Sequence, residues 1–288
     1  MHIPVLQKEV LQYLDPKPNE NFIDCTFGGG GHTKDILEKI EPGGKVLAID
    51  WSPEMAKQAV KKNLIVVCDN FANLKEIVKK NNFNRVKGIL FDLGMSSWHL
   101  SESGRGFSFQ KREPLDMRYS LENQLTAEKI VNYWSKFDIE KILKEYGQEQ
   151  FAGQIAERIV ETRKTKQIET TSQLTTVIEK AVPKRYLHGR IHFATRTFQA
   201  LRIAVNNELD NLKEVLPRAT EILKKNGRLV VISFHSLEDR IVKNFLKEKA
   251  KEGSLIIITK KPIRPTLKEI KINPRSRSAK LRAAIKII

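Results

Sequence analysis

The chain has 288 residues, 40% hydrophobic and 30% charged, enough apolar side chains for one or two packed domains and too many for a disordered chain. No apolar run reaches the ~18 residues that cross a bilayer, no charged-then-apolar leader opens the sequence, and Cys25 and Cys68 are too few for a disulfide framework or a four-cysteine zinc site, so a soluble protein of the reducing cytoplasm is expected. A net charge of +17 makes a polyanion the expected partner, nucleic acid before membrane.

Short apolar runs alternate with helical patterns over the first ninety residues. Residues 22–25 read as a strand, followed by glycines and a helix near 33–40. Residues 45–49 form a second strand ending at Asp50, and Pro53 suits the first turn of the next helix. Residues 64–67 and 87–91 repeat the strand pattern around a helix at 74–80. This rhythm predicts a parallel, doubly wound α/β sheet. It breaks after Leu93, where residues 94–117 are rich in Gly, Ser and charge. Helical spacing then dominates: Ile130/Val131/Trp134, Ile139/Ile142/Leu143/Tyr146, Ile155/Ile159 and Leu174/Val177/Ile178/Ala181. The α/β pattern returns with a helix at 209–224, a strand at 228–233, a helix from Leu237, and apolar segments at 255–259 and 283–288. The expected organisation is therefore an α/β domain over 1–105 and 205–288, with a helical domain inserted over 106–204. Charge is segregated along it: residues 243–288 hold 14 basic and 3 acidic residues, residues 158–202 hold 10 and 3, and residues 113–157 hold 5 and 9.

Asp24-Cys25-Thr26-Phe27-Gly28-Gly29-Gly30-Gly31-His32 places an acid and a glycine-rich turn between a strand and a helix, where the backbone can approach a ligand closely. It is not a Walker phosphate loop, because no Gly-Lys-Ser/Thr follows, and the third glycine position of a dinucleotide fingerprint is Thr33. Asp24 is more at home beside a cation than a pyrophosphate, which suits the ammonium and sulfonium region of S-adenosylmethionine. Asp50, closing the second strand, can accept both ribose hydroxyls of a nucleoside, a device NAD enzymes share. Phe71, after the third strand, is either an adenine-stacking ring or a core aromatic. Asp92 ends the fourth strand, at the edge where such sheets bind ligands, and could hold an exocyclic amine or cap a helix. Ser236 with Asp239 reads as a helix cap, leaving His235 at the rim of the crevice to contact a base or the backbone. His188 and His192 lie four apart, but Gly189 between them and the lack of a third ligand argue against zinc; no metal is expected.

Taken together these motifs resemble one family, the bacterial 16S rRNA (cytosine-N4) methyltransferases of the RsmH/MraW type. The resemblance runs over essentially the whole chain: His2-Ile3-Pro4-Val5-Leu6, the Asp24–His32 turn, Asp92-Leu93-Gly94-Met95-Ser96-Ser97, and Arg105-Gly106-Phe107-Ser108-Phe109. It continues through Pro114-Leu115-Asp116-Met117-Arg118, Phe193-Ala194-Thr195-Arg196-Thr197-Phe198-Gln199-Ala200-Leu201-Arg202, Ser233 to Arg240, and Asn273-Pro274-Arg275-Ser276-Arg277-Ser278. It implies a class I S-adenosylmethionine-dependent methyltransferase fold, a Rossmann-like doubly wound sheet with an all-helical insertion. It also implies cofactor contacts at Gly30, Gly31, His32, Asp50, Phe71, Asp92 and His99, in addition to Asp24. Two positions depart from the family pattern: His99 stands where relatives often have Gln, and Trp98 where a smaller residue is common.

The expected chemistry is direct methyl transfer to cytosine N4, with Asp92 holding the amine hydrogens, in a decoding-region cytidine that the resemblance alone identifies. N4 of a paired cytosine is occupied and hidden in A-form RNA, so the target must be unpaired or flipped out. Candidate RNA contacts are Asp116 and Arg118 (or an internal pair), Arg190 and Arg196 in a segment mixing cations with aromatics, His235, and Arg275 and Arg277 in the basic tail. The partner is 16S rRNA, within the small ribosomal subunit, with self-association left open. Two other classes compete: a dehydrogenase using the glycine turn and Asp50, and a ribosome-assembly factor that keeps the fold without catalysis.

Overall fold

The computed structural model describes residues 3–56 and 62–288; His2 of the opening motif lies outside them. The chain divides into two compact units, Met1–Gly94 with Leu209–Ile288, and Met95–Glu208. These junctions differ from the expected 105/106 and 204/205.

The first unit is built on a seven-stranded sheet of order β3-β2-β1-β4-β5-β7-β6. Its strands are β1 (Asn21–Asp24), β2 (Val46–Asp50), β3 (Leu64–Cys68), β4 (Val86–Asp92), β5 (Arg228–Ser233), β6 (Leu255–Ile257) and β7 (Lys280–Lys286). Strands β1 to β5 run parallel, with Phe22 opposite Val46 and Gly88 and Leu90 opposite Val230. β7 runs antiparallel between β5 and β6. The central strands are continuous apolar runs because both faces of the sheet are covered. Alternation sends Phe22, Val46, Ala48, Leu90 and Val230 to one face, packed with Ile36 and Ile40 of α2 (Gly31–Ile40). Ile23, Leu47, Ile89 and Leu229 go to the other, packed with Leu212 and Leu216 of α12 (Glu208–Ile222) and Val242 and Leu246 of α13 (Ser236–Lys251).

Further helices of this unit are α1 (Gln7–Leu14), α3 (Pro53–Ala56), α4 (Leu74–Lys80) and α14 (Leu267–Ile272). α1 was not expected; its polar spacing hides a face that buries only Val10 and Leu14. The last strand begins at Lys280, three residues before the apolar segment, because Lys280 and Arg282 both pair with Asp239 of α13. The segment after Ile257 leaves the strand earlier than the apolar pattern suggested.

The second unit is helical: α5 (Ser97–Ser101), α6 (Ala127–Tyr133), α7 (Lys136–Glu145), α8 (Ala152–Arg163), α9 (Thr171–Ala181), α10 (Lys184–Leu187) and α11 (Thr195–Asn206). Thr126 and Ser135 cap α6 and α7, and Thr170 with Gln173 forms a complete capping box at α9. Ile130, Ile139, Leu143, Ile155, Ile159, Leu174, Ile178 and Leu201 close a core of its own. Buried Asn206 ties the loop to the helices: its Nδ2 donates to the Met117 carbonyl at 2.7 Å and its Oδ1 accepts the Tyr119 N–H at 2.9 Å.

Candidate cofactor and active site

At the carboxyl ends of β1, β2 and β4 the strands stop and their last residues turn polar. Asp24 is 1% exposed. Its Oδ1 accepts the Thr26 N–H at 3.1 Å and its Oδ2 accepts the Thr33 hydroxyl at 2.7 Å. Burial raises its pKa, against the opposing Thr33 hydrogen bond. Thr26 Oγ1 in turn accepts the Asp92 N–H at 2.7 Å, bracing β1 against β4. Burial also pushes the Cys25 thiol well up, so it is no nucleophile here.

The chain then turns through Gly28 (φ +51°) and Gly30 (φ +70°), a left-handed backbone in which side chains are strained. Gly30 is the residue before α2, and a Cβ on it would sit 3.0 Å from the Phe27 ring. Gly31 opens the helix at a point where a Cβ would run into the Pro4 ring. The turn is anchored to β2: Asp50 Oδ2 accepts the Gly28 N–H and Oδ1 the Ser52 N–H, both at 2.8 Å. Each oxygen keeps a second lone pair for a ligand. Burial pushes Asp50 up to about 6, although both backbone hydrogen bonds pull the other way.

His32, in the first turn of α2, is buried, and neither ring nitrogen has a hydrogen bond among the described residues. Its Nε2 lies 3.5 Å from Asp92 Oδ2. Burial pulls its pKa down, but the Asp92 carboxylate, then Asp24 and Asp35, outweigh burial and raise it. Asp92 Oδ1 accepts the Gly94 N–H at 3.3 Å, and a Cβ on Gly94 would meet the Phe234 ring at 2.8 Å. Phe71 starts a short helical turn after β3 and meets Phe91 edge to face at 5.7 Å, a half-buried ring attached to the core. Asp24, Gly30, Gly31, His32, Asp50 and Asp92 therefore come together in one unit. Thr26, Thr33 and Ser52, which organise the acids, were missed by sequence reasoning; two-residue spacing after Asp24 and Asp50 was the available signal for Thr26 and Ser52.

The remaining expected residues fall elsewhere. His99 lies in the helical unit, buried, with Nδ1 2.7 Å from Ser96 Oγ and its ring edge-on to Trp98, Phe107 and Tyr119. Arg118 grips Asp116 bidentately, Nε to Oδ1 and Nη2 to Oδ2 both at 2.8 Å, and its Nη1 donates to the Asn123 carbonyl at 2.7 Å. The internal pair foreseen as one of two options is formed, and the guanidinium braces the loop. Arg196 Nη1 donates to the Gln148 carbonyl at 3.3 Å, whereas Arg190 is exposed and has no ion pair among the described residues. Arg275 and Arg277 are exposed on the turn Pro274–Ser278.

One expectation needs correction: the cap of α13 is His235, and Ser236 is the first helical residue. His235 Nδ1 accepts the Glu238 N–H at 3.4 Å, while Glu238 Oε2 accepts the His235 N–H at 3.1 Å. A capping box needs an acceptor at the cap and a Glu or Gln three residues on; His235 has Glu238 there, whereas Ser236 has Asp239, which is committed to Arg282.

Five parallel strands, a reversed seventh strand inserted beside the fifth, and acids at the ends of the first, second and fourth around a glycine turn define a Rossmann-like methyltransferase of class I. Over residues 1–287 the chain matches the model of the MraW methylase family, and it belongs to that family. It is 46% identical to the ribosomal RNA small subunit methyltransferase H of Dehalococcoides mccartyi strain BAV1, covering 100% of this chain and 87% of that protein. To the protein of the same name from Thermosipho melanesiensis it is 47% identical, covering 99% and 98%. Among solved structures, an rRNA methylase from Streptococcus thermophilus matches over 100% of this chain and 99% of that one, at 10% identity and a TM-score of 0.45.

Proposed function

We propose that this protein methylates the exocyclic N4 amine of a cytidine in the decoding region of 16S rRNA, using S-adenosyl-L-methionine. The observation that carries the reading is the convergence of Asp24, Asp50 and Asp92 around the Gly28–Gly31 turn. The residues fit that cofactor chemically. Asp50 has free lone pairs for ribose hydroxyls, the space where a Cβ on Gly28 would sit has no atom nearer than 3.8 Å, and the buried nitrogens of His32 have no hydrogen-bond partner among the described residues. Asp24 is the acid for a cationic group, and Phe71 offers a ring face for adenine. When bound, the cofactor supplies an electrophilic methyl carbon on a sulfonium, a good leaving group.

The protein's part is positioning. Asp92 accepts an N–H of the amine at a carboxylate oxygen, which draws the nitrogen lone pair out of ring conjugation. Gly94 holds that carboxylate from one side and His32 faces it from the other. Alignment of reacting atoms at ~3–3.5 Å supplies roughly 7–11 kcal/mol in well-oriented systems, the largest contribution required here. No side chain need act as a covalent nucleophile, and no metal is required by this scheme.

The helical unit, with Arg190 and Arg196, and the basic tail, with Arg275 and Arg277, hold the RNA; His235, Asp116 and Arg118 contribute through the backbone they fix. The substrate is 16S rRNA in the small ribosomal subunit, and the protein works in the cytoplasm. Among the described residues no helix is long and apolar enough to cross a membrane. The deciding experiment maps methylated nucleosides by mass spectrometry in rRNA from cells lacking the protein, before and after treatment with it and the cofactor. N4-methylcytidine at one decoding-region site is expected to appear only after treatment. Its absence, or a nicotinamide-dependent absorbance change instead, would overturn the reading.

A further inference from the structure

At the opposite end of the sheet from the Asp24, Asp50 and Asp92 carboxylates, the first unit opens a cleft of about 430 Å³ around the amino-terminal ends of β1, β2 and β4. Ile65 of β3 and buried Phe83 give it apolar surface. Four cations line it, Lys45, Arg85, Lys87 and Lys224, against one acid, Glu20. Lys87 Nζ stands 3.8 Å from Glu20 Oε1. Lys45, Arg85 and Lys224 are exposed and have no ion pair or side-chain hydrogen bond among the described residues.

The backbone that carries these cations is fixed by side-chain amides. Asn21 clips three segments together: its Oδ1 accepts the Lys45 N–H at 3.1 Å and its Nδ2 donates to the Asn84 carbonyl at 2.8 Å. Asn19 Oδ1 accepts the Gly43 N–H at 3.0 Å, and the Lys224 N–H donates to the Val86 carbonyl at 3.0 Å. The turn before β4 is left-handed at Asn82 (φ +48°) and again at Arg85 (φ +59°). Asparagine visits that region readily, whereas a long side chain is strained there and glycine would be the relaxed choice. Strain of this kind persists only where the surrounding structure imposes it, and it gathers at ligand clamps. Here it puts a guanidinium on the wall of the cleft.

Unneutralised cations gathered in a walled cleft call for an anion, and the volume falls within the roughly 300–1,000 Å³ of small-ligand sites. One phosphate monoester brings a charge of about −1.5 to −2 at neutral pH, less than four cations and one acid leave open. Two adjacent phosphate groups match better, with the guanidinium forking their oxygens and the lysines acting as point charges. We infer that this cleft is a second ligand site, which takes two adjacent phosphate groups, either of a free diphosphate or of consecutive nucleotides in an RNA strand. The inference goes beyond the methylation reading and does not depend on it, because the candidate reaction centre lies at the other end of the strands.

The probe is inorganic pyrophosphate, titrated calorimetrically into the full-length protein at about 50 mM salt, where charge attraction is little screened. The wild-type protein should bind one equivalent. Arg85→Gly removes the guanidinium and relaxes the left-handed backbone, so it should melt no lower than wild type while weakening pyrophosphate about tenfold. Lys224→Gln, a change at an exposed side chain, is the second variant and should weaken it similarly. Lys141→Gln makes the same charge change at an exposed position of the helical unit and should leave binding as it was. Labelled small-subunit rRNA then separates the two sources. Displacement of the rRNA by pyrophosphate, with weaker rRNA binding in Arg85→Gly, assigns the cleft to RNA phosphates; no displacement and unchanged rRNA binding assigns it to a free diphosphate. No pyrophosphate binding by the wild type, or affinities that Arg85→Gly and Lys224→Gln change no more than Lys141→Gln does, would overturn the proposal. Methylation is scored apart from these titrations: its failure with pyrophosphate still bound defeats only the earlier reading.

Discussion

His32 Nε2 and the Asp92 carboxylate lie 3.5 Å apart in a buried setting, with Asp24 also acting on the imidazole. Because the histidine's folded pKa is raised above its ordinary 6.5, the pair stabilises the fold fully below about pH 6.5 and loses that contribution as pH rises through the raised value. His32→Gln should therefore cost about 1–3 kcal/mol at pH 6 and much less at pH 9. Thermal melts of both proteins at the two pH values check this, and an equal loss at both would show that the charge pair contributes nothing.

Asp92 itself should matter to turnover far more than to folding, because the strand is braced through its backbone N–H by Thr26. Asp92→Ala is expected to lower kcat about 10²–10³-fold, the effect of removing one preorganised polar group from a reacting centre. Cofactor binding by calorimetry and single-turnover methyl transfer separate the two roles. Methylation at the wild-type rate would remove Asp92 from the chemistry.

Asp50 sets a pH threshold for cofactor binding. With its carboxyl pushed up to about 6, protonation below that pH converts an acceptor oxygen to O–H while Gly28 and Ser52 still claim acceptors. The cofactor Kd should rise as pH falls through 6, toward a limit of about tenfold per pH unit. Asp50→Asn should bind weakly at every pH with a flat profile. A flat wild-type profile between pH 5 and 8 would show that ribose binding does not need the ionised acid.

Gly30→Ala should cost about 1–2 kcal/mol for the left-handed backbone and more for pressing on Phe27. Gly104 is the control: it is left-handed too, at φ +65°, with open space around its missing Cβ. Gly104→Ala should show the backbone cost alone. Denaturant melts give the difference, and equal losses would mean the Phe27 ring moves freely aside.

Asp239 anchors the reversed strand. Burial pushes its pKa up, but Arg282 and Lys280 outweigh burial and lower it. Its contribution is therefore present above about pH 3.9 and disappears as pH falls through the depressed value. Arg282→Met should cost about 1–3 kcal/mol at neutral pH, shrinking in acid as Asp239 protonates. Urea melts at pH 7 and pH 3 read both.

Much of the first unit was legible because parallel strands buried on both faces write themselves as apolar runs. The ranges 74–80 and 228–233 coincide with α4 and β5. The site acids were legible for a related reason: each stands where an apolar run stops, so Asp24, Asp50 and Asp92 announce their place at the strand ends. Features set by tertiary partners were not legible. Lys280 and Arg282 look like surface residues until Asp239 is placed beside them, and His235 serves as a cap only because its ring turns toward the Glu238 N–H. The choice between a base contact and an internal pair for Asp116 and Arg118 depended on a guanidinium orientation that spacing does not encode. Helix α11 was obscured by its charge and small residues, although Phe198, Leu201 and Val205 give it a buried face.

The position of β7 between β5 and β6 orders events during synthesis. β6 emerges from the ribosome before β7, yet among the described residues it pairs only with β7, so it must wait unpaired for a later-made neighbour. Until then the nascent β5 keeps one flank of N–H and C=O groups open, a sticky edge shielded by nothing in its own sheet. Chains released early by premature termination would carry that edge permanently, which makes them natural clients for holdase chaperones and proteases.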